Sequence, residues 1–220
     1  MSKKFYLVLL AAVLTANYAQ AQFTFGVRAG LNLTNMKMKA EGISISADMK
    51  PGFQLGVVGE YGLSESFFIQ PGILFAQQGS KSDFSSSMGS YSYESSTKTT
   101  LNYLQIPVNA QYKVDLGGMK LLLQAGPYFG FAISGKQKGE ETTIWGGEKE
   151  TEKYDEKIDF GEDDSMKRGD FGLGIGAGLQ FGNIQAGLGY NIGIANINTD
   201  SDFKTKNNSL AITLTYFFGK

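Results

Sequence analysis

Two groups of residues in this 220-residue chain have types and spacings that invite a chemical reading. Asp159, Glu162, Asp163 and Asp164, in the phrase DFGEDDS, offer oxygen ligands for weak calcium binding at a loop tip, although their spacing fits no EF-hand. Gly172, Gly174 and Gly176 have the outline of a phosphate cradle, which works only where a strand gives way to a helix. No helix follows these glycines, so that reading fails. Histidine and cysteine are both absent. A Ser-His-acid triad, a His-assisted lipase and an Asp-His protease are therefore excluded in their usual forms. Zinc and the transition metals lose their normal ligands as well. No basic patch points to nucleic acid. The expectation is no enzyme, no cofactor and no catalytic residue.

What remains is a set of polar residues with one parity in common. Arg28, Gln54, Glu60, Gln70, Gln105, Asn109, Gln111, Lys120, Gln124, Gln185 and Asn191 each fall between apolar neighbours in segments of alternating character. Alternation with period two is extended chain, because successive side chains of a strand point to opposite faces. In Asp170–Ile194 the apolar parity is Phe171, Leu173, Ile175, Ala177, Leu179 and Phe181, then Ile184, Ala186, Leu188, Tyr190 and Ile192. The other parity is glycine or polar. A soluble sandwich has no need of so many glycines opposite its core face. A narrow membrane barrel has: lipid wets its outside, and curvature crowds its inside.

The same reading finds six more strands, at 22–33, 52–62, 67–77, 101–114, 119–133 and 209–218. Pro71, which has no ladder donor, requires a bulge or local distortion in the third. The connections alternate in length. Segments 34–50, 78–100, 134–169 and 195–208 are long and polar, whereas 63–66, 115–118 and 181–183 are short. Segment 78–100 alternates loosely enough to extend its flanking strands past the bilayer. From Lys136 to Arg168 there are eleven acids and seven bases, as expected of a solvated loop or protruding hairpin. Short turns on one side, long loops on the other and an even strand count are the pattern of outer-membrane barrels. The expected fold is therefore all-β: an eight-stranded antiparallel up-and-down transmembrane barrel, its first and last strands paired because lipid tolerates no open edge. Its narrow bore should be filled by the polar set, in which Arg28 and Glu60 are the expected ion pair.

Composition and targeting agree. There are 29 Gly, 16 Phe and 11 Tyr, with 19% charged residues. Met1–Ala21 has basic Lys3 and Lys4, an apolar stretch Phe5–Ala16, and Ala19-Gln20-Ala21, the plan of a cleaved secretory signal peptide ahead of a barrel domain at 22–220. Outside it no run of 18 apolar residues occurs, so any crossing is made by strands.

Several phrases together resemble the small outer-membrane β-barrel proteins of Bacteroidetes often called the PorT family, broadly similar to the OmpX/OmpA type. They are FTFGVRAGLNLTN, PGFQLGVVGEYGL, FFIQPGILFAQQG, LNYLQIPVNAQYKV and LAITLTYFF, which span nearly the whole chain after the leader. The resemblance implies a barrel in the cell outer membrane and carries over no catalytic residue. It implies that Phe218 acts as the aromatic assembly signal read by the barrel-assembly machinery, here followed by Gly219 and Lys220. The expected partners are outer-membrane lipid, that machinery, and a surface or envelope protein. The expected function is a non-enzymatic structural or surface-interaction role through external loops. The alternatives are a small channel or secretion accessory, and an exported soluble barrel binding an apolar ligand.

Overall fold

A computed structural model describes residues 23–40, 43–161, 166–200 and 202–219. The leader Met1–Ala21 and three of the four candidate calcium ligands, Glu162, Asp163 and Asp164, lie outside these residues. Ten strands are present: β1 (Phe23–Ala40), β2 (Ile43–Ser46), β3 (Lys50–Gly62), β4 (Phe67–Met88), β5 (Tyr91–Asp115), β6 (Lys120–Trp145), β7 (Glu148–Ile158), β8 (Gly169–Phe181), β9 (Ile184–Gly193) and β10 (Phe203–Phe218). Eight of them form a closed antiparallel ring in the order β1-β3-β4-β5-β6-β8-β9-β10, and β10 returns to β1 with Phe25 opposite Phe218. β2 is added to β1, and β7 to β6.

The ring exists because apolar residues occupy its whole outer parity. Leu31 is 69% exposed, Ile212 61% and Ile175 60%, values that only a lipid surround makes favourable. An exported soluble barrel with an apolar interior is overturned by this inversion: the bore is polar and the outside is apolar. The tight turns are built by local chemistry. The Gly117 amide donates to Asp115 Oδ1 at 2.8 Å, and Gly182 takes φ +52° in the two-residue link between β8 and β9, where a side chain would be strained.

Pro71 needs no bulge. The β3–β4 register is the same on either side of it, Val58 facing Gly72 and Tyr61 facing Ile69, and only the ladder bonds between them are missing. The bulge lies elsewhere, on β6. Tyr103 faces Ala132 while Asn102 faces Ser134, so Ile133 is an inserted residue and β6 exchanges its faces there.

Two of the long segments carry the strands past the ring, as the loose alternation of 78–100 and the hairpin reading of 136–168 anticipate. Segments 78–100 and 134–158 are mostly strand. Beyond the ring β4, β5, β6 and β7 continue as a four-stranded sheet, paired row by row from Ser80 opposite Thr99 to Met88 opposite Tyr91 and Trp145. At about 3.4 Å per residue it projects roughly 30 Å past the ring. On the opposite side β1 and β10 run on together to Ala40 and Phe203, through residues expected to be loop.

Candidate functional site

Two regions could carry a function: the bore, and the sheet that projects beyond it. In the bore the polar parity folds into a packed network. Near the short-turn end, Lys113 Nζ meets Glu60 Oε2 at 2.5 Å and donates to Gln180 Oε1 at 2.7 Å. Its ammonium also stands 4.3 Å from the centre of the Phe68 ring. Arg28 donates from Nε to Thr215 Oγ1 at 2.9 Å and from Nη2 to Gln70 Oε1. Gln70 Nε2 in turn donates to Gln185 Oε1 at 3.3 Å, and Gln111 Nε2 to Gln124 Oε1 at 3.1 Å. Asn191 Nδ2 reaches Ser209 Oγ at 3.1 Å.

The expected Arg28–Glu60 pair is not a direct ion pair, although Arg28 stays within electrostatic reach of Glu60. Register places Thr24 opposite Glu60 and Gly56 opposite Arg28, an offset of four residues along the ladder. The cation that meets Glu60 comes from β5, two strands away around the ring. Lys113 follows Asn109 and Gln111 on the inward parity, so the signal was present in the alternation. Lys120 keeps the inward parity but stands half-buried at the rim, opposite Gln180 and Asp115 and beside Phe68 and Lys113 at the mouth of the bore, and makes none of the hydrogen bonds of the interior network.

A cavity of about 50 Å³ lies in mid-bore among Arg28, Gln54, Gln105, Asn109, Gln124 and Asn191. That is space for very few waters. Above it Asn207 Nδ2 donates to Asp170 Oδ2 at 3.0 Å and to Tyr103 Oη at 3.2 Å. Then comes an apolar cap: Met36, Leu101, Tyr103, Ala132, Phe160 and Ile197 pack together, with Ile158 and Met166 against them. Sequence reasoning missed this cap, because Met36, Phe160, Met166 and Ile197 stand in segments that read as polar loops.

The projecting sheet has two unlike faces, since residues opposite one another in an antiparallel ladder share a face. The face continuing the bore carries Phe84, Met88, Tyr91, Tyr93, Trp145 and Tyr154, with Glu141, Glu148, Glu150, Glu152 and Glu156, and has no lysine or arginine. Tyr91 and Trp145 meet edge to face at 6.1 Å between ring centres, and Tyr154 lies over Gly139 with its hydroxyl 3.0 Å from Thr97 Oγ1. The face continuing the lipid side holds the sheet's seven lysines, with Asp83, Glu94, Glu140 and Asp155. Hydrogen bonding to Lys136, then to Lys138, holds the Asp155 carboxyl below the usual carboxylate range, and Lys81 and Ser96 do the same for Asp83.

The family model described as outer membrane protein beta-barrel domain matches residues 18–199. No curated protein matches the sequence. Among solved structures, the chain is similar to Ail, the attachment invasion locus protein of Yersinia pestis, at 16% identity and TM-score 0.39, covering 90% of this chain and 99% of that one. It is similar to Neisserial surface protein A at 16% identity and TM-score 0.37, covering 87% and 96%. It is also similar to the N-terminal β-barrel domain of Pseudomonas aeruginosa OprF at 10% identity and TM-score 0.32, covering 88% and 97%.

Proposed function

The chain belongs to the outer membrane protein β-barrel domain family, and from that premise we propose that it serves the cell outer membrane as a non-enzymatic barrel whose projecting sheet is a contact surface for a cationic partner. One observation carries this: the bore-side face of β4–β7 gathers five glutamates and six large apolar or aromatic side chains with no basic residue among them. Aromatic rings beside carboxylates attract a cation both by charge and through their π faces. The phrases FFIQPGILFAQQG and LNYLQIPVNAQYKV support a place among PorT-like barrels within the family. The filled bore and apolar cap argue against a transport role.

The test uses the full chain reconstituted in zwitterionic vesicles, with a fluorescent oligo-arginine peptide as probe. Binding should be saturable and weaken with salt, and the triple variant Glu148→Gln, Glu150→Gln, Glu152→Gln should lose on the order of tenfold in affinity. Unchanged binding by the triple variant would refute the contact role. Conductance steps of defined size in a planar bilayer would replace it with the channel reading.

Assembly offers a second prediction. Phe218 is paired with Phe25 at the seam, is exposed to lipid, and packs against Tyr216 at 5.4 Å between ring centres. We expect Phe218→Ala to lower the amount of assembled barrel in the outer membrane severalfold, read as the heat-modifiable band on a gel. The same variant should refold normally from urea into vesicles. A refolding defect of equal size would mean that Phe218 serves the seam rather than recognition by the assembly machinery.

A further inference from the structure

The lysines outside the barrel are not scattered. On β1 and β10 the last outward apolar pair is Leu33 opposite Leu210, and four residues further Lys37 stands opposite Lys206, followed by Lys39 opposite Lys204. On β5 and β6 the last such pair is Leu104 opposite Phe131. Four residues beyond Leu104, Thr100 faces Lys136, which faces Lys157; the next outward row is Lys81, Lys98, Lys138 and Asp155. Two lysine clusters therefore begin at one height above the apolar band, and in the ring order they lie on opposite sides of the barrel.

Their mutual placement is electrostatically unfavourable. Lys37–Lys206, Lys39–Lys204, Lys81–Lys98 and Lys98–Lys138 are like charges directly opposite on one face, an arrangement that costs stability. In the two lower rows of the projecting sheet five lysines stand with two carboxylates: Asp155, which Lys136 approaches to 2.9 Å and Lys138 to 3.1 Å, and Asp48, which a β-bridge places opposite Lys81. Further carboxylates come in the next rows out: Asp83, which Lys81 meets at 2.5 Å, then Glu140 and Glu94. Among the described residues, Lys37, Lys39, Lys204 and Lys206 make no ion pair. The cations are thus concentrated where the lipid surface ends, and the surface they adjoin is the one the apolar band already occupies.

We propose that these two clusters bind the phosphate-bearing headgroups of the outer-leaflet lipid, so that the barrel carries a bipartite collar for anionic lipid. The β6 bulge is part of the device. Without the inserted Ile133, Lys136 and Lys138 would fall on the bore parity; with it, both turn toward the membrane surface. Each phosphate bridging two opposed lysines would relieve their repulsion, and the collar would set how far the barrel rises through the leaflet.

The experiment compares the full chain with Lys37→Gln, Lys39→Gln, Lys204→Gln, Lys206→Gln and, separately, with Lys98→Gln, Lys136→Gln, Lys138→Gln, Lys157→Gln. Each is folded in detergent and exposed to equal mixtures of phosphatidic acid and phosphatidylcholine, and native mass spectrometry counts the lipids retained. The parent should favour phosphatidic acid, and each quadruple variant should lose on the order of tenfold of that preference. Lys149→Gln, Lys153→Gln, which lies further out, should keep it, and heat-modifiable migration confirms folding in every case. A parent with no preference, or quadruple variants that retain it, would overturn the proposal. Competition by millimolar inorganic phosphate to the same extent would assign the sites to free anion and overturn the lipid assignment.

Discussion

Replacing Lys113 by methionine should destabilise the barrel by about 3–5 kcal/mol, the usual cost of removing one member of a buried ion pair. The loss is large because the ammonium has three uses at once. It meets Glu60 Oε2 at 2.5 Å, donates to Gln180 Oε1 at 2.7 Å, and sits against the Phe68 ring, with both charged side chains 1% exposed. Methionine fills much of the volume but takes that cation away from a buried carboxylate, so the penalty is electrostatic more than steric. The measurement is urea-induced unfolding in vesicles, followed by gel migration without boiling. The double variant Glu60→Gln, Lys113→Met should recover part of the loss, since removing both charges also removes the cost of burying them. A single variant as stable as the parent would show that the pair is not what closes the bore. Arg28→Met offers the comparison, because its hydrogen-bond partners Thr215 and Gln70 are neutral and Glu60, whose charge it also feels, keeps Lys113.

The contrast between these two cations shows where sequence reading succeeds and stops. Which residues face the bore was legible because lipid and a polar interior impose opposite chemistry on alternate residues, so Arg28, Gln70 and Gln111 sort by parity alone. Which of them meet was not. That depends on ladder register and on how the ring turns, and the result carries Lys113 of β5 to Glu60 of β3 across an intervening strand. Parity also fails at one inserted residue. The alternation of β6 through Gln124 places Lys136 and Lys138 inside, and only the shift between Tyr103–Ala132 and Asn102–Ser134 sends them out. Past the membrane the contrast itself fades. Ser80–Met88 and Glu148–Ile158 have water on both faces, so their hydrophobic period is weak although their backbone pairing is continuous with the ring. The apolar cap was hidden for a different reason: Met36, Phe160 and Ile197 are single apolar residues in polar surroundings, joined only by the fold.

Gly172→Ala should prevent most of the chain from reaching the closed form, whereas Gly189→Ala should fold almost as the parent does. Both glycines face the bore on neighbouring strands, so composition and parity cannot separate them. The space around them does. A Cβ at Gly172 would lie 2.2 Å from the Ile192 carbonyl oxygen and 2.6 Å from Cε1 of Tyr128; at Gly189 its nearest neighbour would be the Ile175 carbonyl oxygen at 3.5 Å. The first distance involves backbone that cannot rotate away without opening the β8–β9 ladder, in which Gly172 pairs with Gly193. Overpacking of this kind costs about 1–3 kcal/mol where side chains can yield, and more where they cannot. Tyr128→Ala added to Gly172→Ala should therefore restore little, because the ring is only the second obstacle. The fraction folded into vesicles after dilution from urea measures all three variants on one gel. If Gly172→Ala closed normally, the glycines of β8 would be accounted for by strand flexibility instead. If it fails while Gly189→Ala succeeds, they are there because the backbone of β9 and the side chains of Tyr128, Gln124 and Asn191 on the flanking strands leave β8 no room for a Cβ.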